Sequence, residues 1–174
     1  QPKAHYAALQ RMGELLIQTY SNEMNLDYLI VRIFNPYGSE QPKNMVIHRF
    51  FEAAFKGAPI NIFGRGDQTR DFIYIDDVAK LLSVLIDRKI TQQTINICSG
   101  QDFAIRSVAE MVINITGSVS NCEFLPIPKG RENAEIKRSY GSTSKLENLT
   151  GLKPSIGLQE GLKLMYNNLI LDQN

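Results

Sequence analysis

The chain has no tryptophan, only two cysteines and only two histidines among its 174 residues. Cys98 and Cys122 are too few and too far apart for a disulfide framework or a cysteine-based zinc site, and this usage favours a reducing cytoplasm. His5 and His48 give metal chemistry little support. No apolar run approaches the length of a membrane span. We therefore expect a cytoplasmic protein without a metal centre.

The charged residues are balanced in number and mixed along the chain. There are 19 lysines and arginines against 18 aspartates and glutamates, for a formal net charge of +1. A protein that binds nucleic acid or an anionic membrane through charge carries a concentrated basic stretch, which this sequence lacks. We therefore expect neither of them as a partner. With 43% hydrophobic and 21% charged residues, the composition is that of a globular domain with a core.

Hydrophobic periodicity predicts alternating helices and strands. Helices are predicted at about 5–23, 46–56, 78–87, 105–116 and 157–171. Strands are predicted at about 26–34, 94–98 and 123–127. The first helix is apolar enough to pack on two sides, and the first strand suits a parallel sheet that buries both its faces. The sequence opens at Gln1 without a methionine and enters a helix almost at once, so we expect it to come from a longer protein.

Several helix boundaries are marked by particular residues. Gly57 and Gly117 follow the last periodic residues of their helices, where glycine commonly ends a helix. Asp76 and Asp77 stand at the expected N-cap position of the helix at 78–87. We interpret these two aspartates as helix-capping and loop-fixing residues rather than catalysts.

A glycine loop lies between two extended segments in the stretch from Ile60 to Asp77. Gly64 and Gly66 break the first segment, and the loop delivers Arg70 to the start of the second. A guanidinium there is able to hold a phosphate through two parallel hydrogen bonds. The alternative is an ion pair between Arg70 and Asp71 on the surface of a tight turn. The local pattern leaves both interpretations open.

The motif Gly-x-Gly-x-x-x-Arg-Asp-Phe-x-x-x-Asp-Asp-Val, which begins at Gly64, resembles the nucleotide-sugar loop of the extended short-chain dehydrogenase/reductases. These form the NAD-dependent nucleotide-sugar epimerase/dehydratase family, and further motifs extend the resemblance over nearly the whole chain. The resemblance implies an α/β fold that corresponds to the C-terminal part of the family's polypeptide. It implies a Rossmann-domain remnant at 1–40, with a few parallel strands. Residues 41–174 would then form mainly a small mixed α/β substrate-binding domain, with a return to the Rossmann sheet near 72–98.

The segment from Tyr6 to Glu14 resembles the family's active-site helix, which carries Tyr-x-x-x-Lys. Tyr6 stands at the catalytic tyrosine, and Gln10 stands where the family has lysine; both positions also contact the nicotinamide cofactor in the family. A free phenol has a pKa of about 10, and the lysine charge one helical turn away lowers it for acid–base catalysis near neutrality. Neutral Gln10 does not favour a phenolate, so a weakened site is expected. Without the resemblance, Tyr6 is an ordinary amphipathic tyrosine near a helix start.

The resemblance also implies residues that hold the sugar-diphosphate. The segment from Arg32 to Gly38 resembles the family's Arg-x-x-Asn-x-Tyr-Gly, in which the asparagine, here Asn35, contacts that group. Asn44 and the backbone of Met45 are expected to approach the diphosphate or ribose at a helix N-terminus, where free N–H groups favour anions. The local alternatives are an Asn-Pro turn at Asn35 and a simple N-cap at Asn44.

The nucleotide is expected to lie beside the glycine loop. By resemblance, Asn61 and Phe63 flank the base and Arg70 holds the pyrophosphate. Arg131 matches an arginine that contacts phosphate and Glu135 an acid that contacts the ribose, although one extra residue separates them here. An ordinary core aromatic at Phe63 and a solvated charged loop at 129–135 are the alternatives. The implied ligand is a nucleoside-diphosphate sugar.

The family's cofactor fingerprint, Gly-x-x-Gly-x-x-Gly at a strand-to-helix turn, does not occur in this sequence. We expect the whole enzyme to use NAD(H) to form a transient keto sugar, followed by epimerisation or dehydration. This chain alone is expected to be inactive and to bind NAD weakly. A non-catalytic nucleotide-sugar-binding or dimerisation protein, and a truncated product with no function of its own, are the alternatives. The resemblance also implies a homodimer through a helical bundle that includes the Tyr6 helix.

Overall fold

The computed structural model describes residues 5–130 and 136–171, so the predicted contacts of Arg131 and Glu135 lie outside the described residues. The helices are α1 His5–Met24, α2 Val46–Phe55, α3 Ile75–Asp87, α4 Ile105–Thr116, α5 Ser144–Thr150 and α6 Leu158–Leu171. The strands are β1 Leu29–Ile33, β2 Pro36–Tyr37, β3 Ile60–Phe63, β4 Thr69–Arg70, β5 Ile73–Tyr74, β6 Gln93–Ile97, β7 Phe103–Ala104, β8 Cys122–Leu125 and β9 Arg138–Ser139.

Parallel pairing dominates the strands. β1 pairs with β6, β2 with β5 and β3 with β8, all in parallel. β4 lies between β7, which is antiparallel to it, and β9, which is parallel. Strands that pair in parallel need a crossover connection, and helices supply these connections here. The predicted α/β class is therefore confirmed.

The buried apolar residues form two clusters. The larger one joins α2, α4 and α6 to β3, and the smaller one covers the β1–β6 sheet with α3 and α5. Phe72 and Tyr74 belong to the larger cluster, whereas Ile73 between them belongs to the smaller one. Side chains alternate along an extended segment, so 72–74 connects the two clusters as the predicted alternation requires.

The helix ends follow from local chemistry. Gly57 and Gly117 adopt left-handed conformations, with φ of 60° and 62°, Gly57 after the C-cap Lys56 of α2 and Gly117 directly after α4, so both glycines stand at helix ends as predicted. The hydroxyl groups of Ser118 and Ser120 donate to the carbonyl oxygens of Ala54 and Ala58, at 2.7 Å each. These bonds tie the segment after α4 to the end of α2 and to the turn that follows it.

The start of α3 differs from the prediction. The N-cap residue is Tyr74, and Asp76 and Asp77 lie in the first helical turn, so the predicted N-cap role is wrong. Asp77 is 2% exposed, and its carboxylate accepts hydrogen bonds from both the backbone N–H and the hydroxyl of Ser155 and from the N–H of Ile156, at 2.8–2.9 Å. It therefore fixes the loop before α6, which agrees with the predicted loop-fixing role.

Helix α1 and strand β1 are far more exposed than their apolar sequences predict. Ser21 is the one buried residue of α1, and Ile30 is the one buried residue of β1. The expected packing of α1 on two sides and of β1 on both faces is therefore wrong for the described chain. Among the described residues, β1 has one neighbouring strand, β6, and the buried cluster formed with α3 and α5 covers the side of this pair to which Leu29 and Val31 belong. The large exposed apolar side chains of α1 are Tyr6, Leu9, Met12, Leu15, Leu16, Ile17, Tyr20 and Met24.

The described residues contain neither a membrane-spanning helix nor a cluster of metal-binding side chains. No helix there has both the length and the apolar content to cross a membrane. No group of three or more histidine, cysteine, aspartate or glutamate side chains lies close enough to hold a metal ion in the described part of the chain.

Candidate functional site

Two adjoining cavities lie between the carboxyl end of β1 and the first turn of α2. The first has a volume of about 470 Å³ and the second about 650 Å³. Asn35, Val46 and Phe72 line both cavities. Ligands of open α/β sheets bind beyond the carboxyl ends of the strands, and these cavities occupy that position relative to β1.

The first cavity brings together four residues predicted from the sequence, Asn35, Asn61, Phe63 and Arg70. Phe63 is partly exposed and lines the cavity, so it is not an ordinary core aromatic. The remaining lining residues are Val46, Arg49, Phe50, Ile62, Gln68, Phe72, Ile105, Ile127 and Pro128. A largely apolar wall with a few convergent polar groups is typical of a site for an organic ligand.

The glycine loop beside this cavity is held against α4. Gly64 and Gly66 have φ of 72° each, a conformation that glycine adopts without the steric cost of a side chain. The Gln68 side-chain amide donates to the Phe63 carbonyl at 3.0 Å, and the Arg106 N–H donates to the Gly66 carbonyl at 2.9 Å. These bonds give the loop a defined shape at the mouth of the cavity.

Arg70 extends from β4 and is oriented by backbone carbonyls. Its Nη1 atom donates to the carbonyl oxygens of Thr69 at 2.7 Å and Ile136 at 2.6 Å. Since β4 lies between β7 and β9, the backbone that carries this side chain is fixed on both sides. The arrangement positions a guanidinium in the cavity wall before any ligand arrives.

Asp71 makes no surface ion pair with Arg70, so that alternative is wrong. Its side chain is fully buried, and its two oxygens accept hydrogen bonds from the N–H and hydroxyl of Ser99 and from the N–H groups of Gly100 and Gly141, at 2.7–3.1 Å. Neighbouring side chains of an extended segment point to opposite sides, which separates Asp71 from Arg70. Asp71 therefore joins the turn after β6 and the chain after β9 to the base of the site.

An ion pair between Arg138 and Asp102 helps to hold β9 beside β4. The Arg138 guanidinium binds the Asp102 carboxylate through Nε at 2.8 Å and Nη2 at 3.1 Å, and it lies 4.3 Å from the centre of the Tyr140 ring. Hydrogen bonds from Arg138 and then from the Thr69 hydroxyl lower the pKa of Asp102 to about 2. The pair is therefore charged at neutral pH and contributes to the alignment of the strand that carries Arg70.

Asn35 stands where the two cavities meet. Its backbone has φ of 33°, a left-handed conformation that asparagine tolerates better than most residues. Its side-chain Nδ2 donates to the Asp71 carbonyl at 2.7 Å. This contact leaves the second N–H and the amide oxygen of Asn35 available to a ligand in either cavity.

The second cavity contains Tyr6 and Met45, together with Asn35 and the loop after β2. The Tyr6 side chain is 73% exposed at the start of α1. Gln10 and Asn44 are exposed and line neither cavity. The N-cap residue of α2 is Met45, without a side-chain cap, so the alternative that Asn44 caps this helix is wrong.

Helix α1 is attached to the body mainly through polar contacts. The Glu14 carboxylate accepts two hydrogen bonds from the Arg32 guanidinium at 2.6 Å each and one from Arg11 at 2.7 Å. The hydrogen bonds from Arg32 dominate and lower the pKa of Glu14 to about 2. Near the end of α1, the Ser21 hydroxyl donates to the Leu26 carbonyl at 2.6 Å. These contacts hold the helix that carries Tyr6 beside β1.

Sequence reasoning missed Arg49 and Gln68, which both line the first cavity. A usable signal exists for Arg49, because Val46, Arg49 and Phe50 have the three- and four-residue spacing of one helix face and share this wall. Gln68 lies between motif residues of the glycine loop, and nothing in the sequence distinguishes it from a solvent-exposed polar residue.

The known proteins that resemble this chain include nucleotide-sugar epimerases and decarboxylases. The family model described as "NAD dependent epimerase/dehydratase family" matches residues 1–98. A UDP-glucuronate 4-epimerase of Thermodesulfobacterium geofontis is 34% identical over 167 residues, which are 95% of this chain and 50% of that protein. A UDP-N-acetyl-alpha-D-glucosaminuronate decarboxylase of Bacillus cytotoxicus is 32% identical over 165 residues, covering 91% of this chain and 50% of that protein.

The fold matches a solved structure of the same group. The crystal structure of UDP-glucuronic acid 4-epimerase from Bacillus cereus in complex with UDP-glucuronic acid and NAD superposes with a TM-score of 0.89 at 30% identity, covering all of this chain and 55% of that one. The chain spans about half the length of the curated relatives it matches. The match confirms the predicted fold class. The chain belongs to the NAD-dependent epimerase/dehydratase family.

Proposed function

We propose that this chain is the nucleotide-sugar-binding half of an NAD-dependent epimerase or a related nucleotide-sugar enzyme. The observation that carries the proposal is the first cavity, in which Asn35, Asn61, Phe63 and Arg70 meet although they come from three different elements or loops. Tyr6 lines the adjoining second cavity, and Asn35 lines both that cavity and the one that contains Arg70. A ligand with a charged nucleotide end and a neutral reactive end fits this order of groups.

The role of each residue follows from its chemistry. Arg70 binds the diphosphate, Asn61 and Phe63 contact the base, and Asn35 binds at the junction between diphosphate and sugar. Tyr6 is the acid/base group toward a sugar hydroxyl in the second cavity, where the Met45 backbone approaches the ligand. For Asn44, Arg131 and Glu135 the proposed contacts to diphosphate or ribose rest on the resemblance alone.

We propose that the described residues of this chain do not form an NAD site by themselves. The sequence has no glycine fingerprint to hold a pyrophosphate, and Gln10, at the position that contacts the nicotinamide ribose in the family, lies outside both cavities. We therefore propose that the redox step of the whole enzyme needs residues outside these two cavities. We propose that this chain alone binds the nucleotide sugar and does not turn it over.

The division of the chain is proposed in nearly its predicted form. The smaller cluster joins the β1–β6 sheet to α3, which supports assigning 1–40 and 72–98 to the Rossmann part. Leu146, Leu149 and Leu152 pack into the same cluster, so we assign α5 to that part as well. The larger cluster then forms the core of the substrate-binding part.

Calorimetric titration of this chain with UDP-glucose, UDP-glucuronate and NAD, each alone, tests the proposal. We expect saturable binding of at least one UDP sugar and no tight binding of NAD. The absence of binding by both sugars, in a sample that unfolds cooperatively, would overturn the proposal and favour a truncated product without a function of its own.

A second candidate is a non-catalytic binding or dimerisation protein, and Gln10 favours it. A neutral side chain one turn from Tyr6 supplies no charge that stabilises a phenolate. The test is the Gln10→Lys substitution in the full-length protein. An enzyme with a weakened site gains turnover of its UDP sugar by 10-fold or more. A protein that has lost catalysis altogether binds the sugar before and after the change and converts it in neither form.

We also propose that the whole protein is a homodimer formed through a helical bundle that includes α1. The exposed apolar side chains along α1, among them Leu9, Leu16 and Tyr20, support this proposal. Continuous exposed apolar surface of this kind marks interaction sites.

A further inference from the structure

We infer that Arg49 is a second guanidinium for the diphosphate and that the first cavity therefore selects nucleoside diphosphates over monophosphates. The inference rests on the proposed function and adds to it a residue that sets ligand specificity. Arg49 lies outside every motif that carries the family resemblance. It is identified by its position in the described structure.

The geometry places Arg49 and Arg70 on different walls of one cavity. Arg49 belongs to α2, whose residues Val46 and Phe50 line the same cavity, and Arg70 belongs to β4. The Arg49 backbone N–H donates to the Met45 carbonyl at 3.0 Å, which fixes the first turn of the helix. Two guanidinium groups on separate walls are suited to two phosphate groups joined by one bridging oxygen.

The guanidinium of Arg49 has no protein acceptor among the described residues. No hydrogen bond or ion pair of its side chain occurs within the described ranges, and the residue is solvent-exposed. Two other arginines, Arg32 and Arg138, differ from Arg49 because their guanidinium groups bind carboxylates of the protein. Arg32 binds Glu14 and Arg138 binds Asp102, each through two hydrogen bonds. Arg49 thus has its donors available for a ligand.

The charge of the cavity favours a dianionic ligand. Among the described residues, its lining contains Arg49 and Arg70 and no aspartate or glutamate. A bound diphosphate brings two negative groups to a cavity wall that carries these two cations. Each guanidinium presents a fork of donors that matches phosphate oxygens. A diphosphate occupies both forks, whereas a monophosphate occupies one.

The first turn of α2 adds donors of the same kind. The N-cap Met45 offers no side-chain cap, so the N–H groups at the start of α2 are not satisfied by a side chain. Val46 at this point lines both cavities. These N–H groups favour an anion beside Arg49, although the inference stands on the two arginines.

The test compares UDP with UMP by calorimetric titration of the wild-type chain and its variants. We expect Arg49→Ala to weaken UDP binding about 10- to 100-fold and UMP binding less than about 3-fold, since loss of a charged contact to one phosphate has this order of magnitude. Arg49→Lys, which keeps the charge without the fork, should give an intermediate loss for UDP. Arg65→Ala is the matched control, because that guanidinium is 91% exposed in the neighbouring glycine loop and lines neither cavity.

The outcomes separate this inference from the proposed function. If the wild-type chain binds neither UDP nor a UDP sugar, the proposed function fails. If the wild type binds UDP and Arg49→Ala changes nothing, or weakens UDP and UMP equally, the assignment of Arg49 to the second phosphate is overturned while the proposed function stands. Thermal unfolding of each variant excludes loss of fold as the cause, because an exposed side chain without protein partners contributes little to stability.

Discussion

At the scale of single residues, buried carboxylates organise the site without taking part in its chemistry. Asp71 and Asp77 are both buried and accept hydrogen bonds from backbone N–H groups of segments distant in the chain. Asp71 also has its backbone carbonyl bound by the Asn35 side chain. One aspartate thereby links the glycine loop, the turn after β6 and the residue at the junction of the cavities.

The substitution Asp71→Asn is expected to destabilise the fold by about 3 kcal/mol. An amide group replaces one carboxylate oxygen with a donor, which then faces other N–H donors in a buried site. For a chain of this length, such a loss lowers the midpoint of thermal unfolding by about 6–12 °C. Asp76→Asn is the matched control on an exposed aspartate and should change the midpoint by less than about 2 °C. Equal midpoints for the two variants would contradict the role assigned to Asp71.

The residue scale also shows what sequence alone was able to predict. Local patterns placed α4 at Ile105–Thr116 and its stop at Gly117, because amphipathic spacing and glycine chemistry are short-range signals. The interpretation of Asp71 failed because its partners are 28–70 residues away, and no local pattern reports such donors. The grouping of Asn35, Asn61 and Arg70 came from family resemblance, since their meeting depends on how distant elements pack.

At the scale of elements, α1 is attached by an ion pair more than by packing. Glu14 has 11% of its side chain exposed and binds Arg32 of β1 through two hydrogen bonds. Arg32 lies three residues before Asn35 in the chain, so the contact relates the helix that carries Tyr6 to the strand end that carries Asn35. The predicted packing of α1 on two sides is wrong for the described residues, because its large apolar side chains remain exposed there.

The substitution Glu14→Gln is expected to lower the free energy of unfolding at pH 7 by about 1 kcal/mol, the scale of a charge-assisted contact. The folded-state pKa of Glu14 is lowered from 4.5 to about 2, so the contact contributes fully above about pH 4.5 and is lost as pH falls towards 2. Chemical denaturation at several pH values should therefore show a gap between wild type and variant that closes on acidification.

The control for the Glu14→Gln experiment is Arg11→Ala. Arg11→Ala removes the other cation near Glu14, which makes one contact within the helix, and should leave the free energy of unfolding nearly unchanged. A gap between wild type and Glu14→Gln that stays constant down to pH 2 would show that the charge of Glu14 does not hold α1.

At the scale of the whole molecule, the chain combines the well-packed larger cluster, which we propose to be the core of the substrate-binding part, with a sheet and a helix that have few neighbours among the described residues. The larger cluster is closed by α2, α4 and α6, whereas α1 exposes a row of apolar residues. This asymmetry agrees with a chain that spans about half of its relatives' length. The binding groups are complete enough to test in this chain, and the redox chemistry is not.

The exposed face of α1 is expected to cause self-association. Leu16 is 58% exposed near the middle of α1, and Leu16→Glu should shift sedimentation towards monomer because a buried charge destabilises an apolar interface. Ile86→Glu is the matched control, since Ile86 is 67% exposed and lies on a different helix, α3. A wild-type chain that sediments as a monomer at micromolar concentrations, or an equal shift for both variants, would contradict a dimer through α1.

The central claim is that a nucleoside-diphosphate sugar binds in the cavity that Arg70 lines. The most direct measurement is the calorimetric affinity of the preferred UDP sugar for Arg70→Ala and Arg65→Ala, two changes of equal charge in the same loop segment. Removing a guanidinium that contacts phosphate should weaken binding by 30-fold or more, while removing the exposed Arg65 should change affinity by less than about 2-fold. Equal affinities for the two variants, with both folded, would contradict the account.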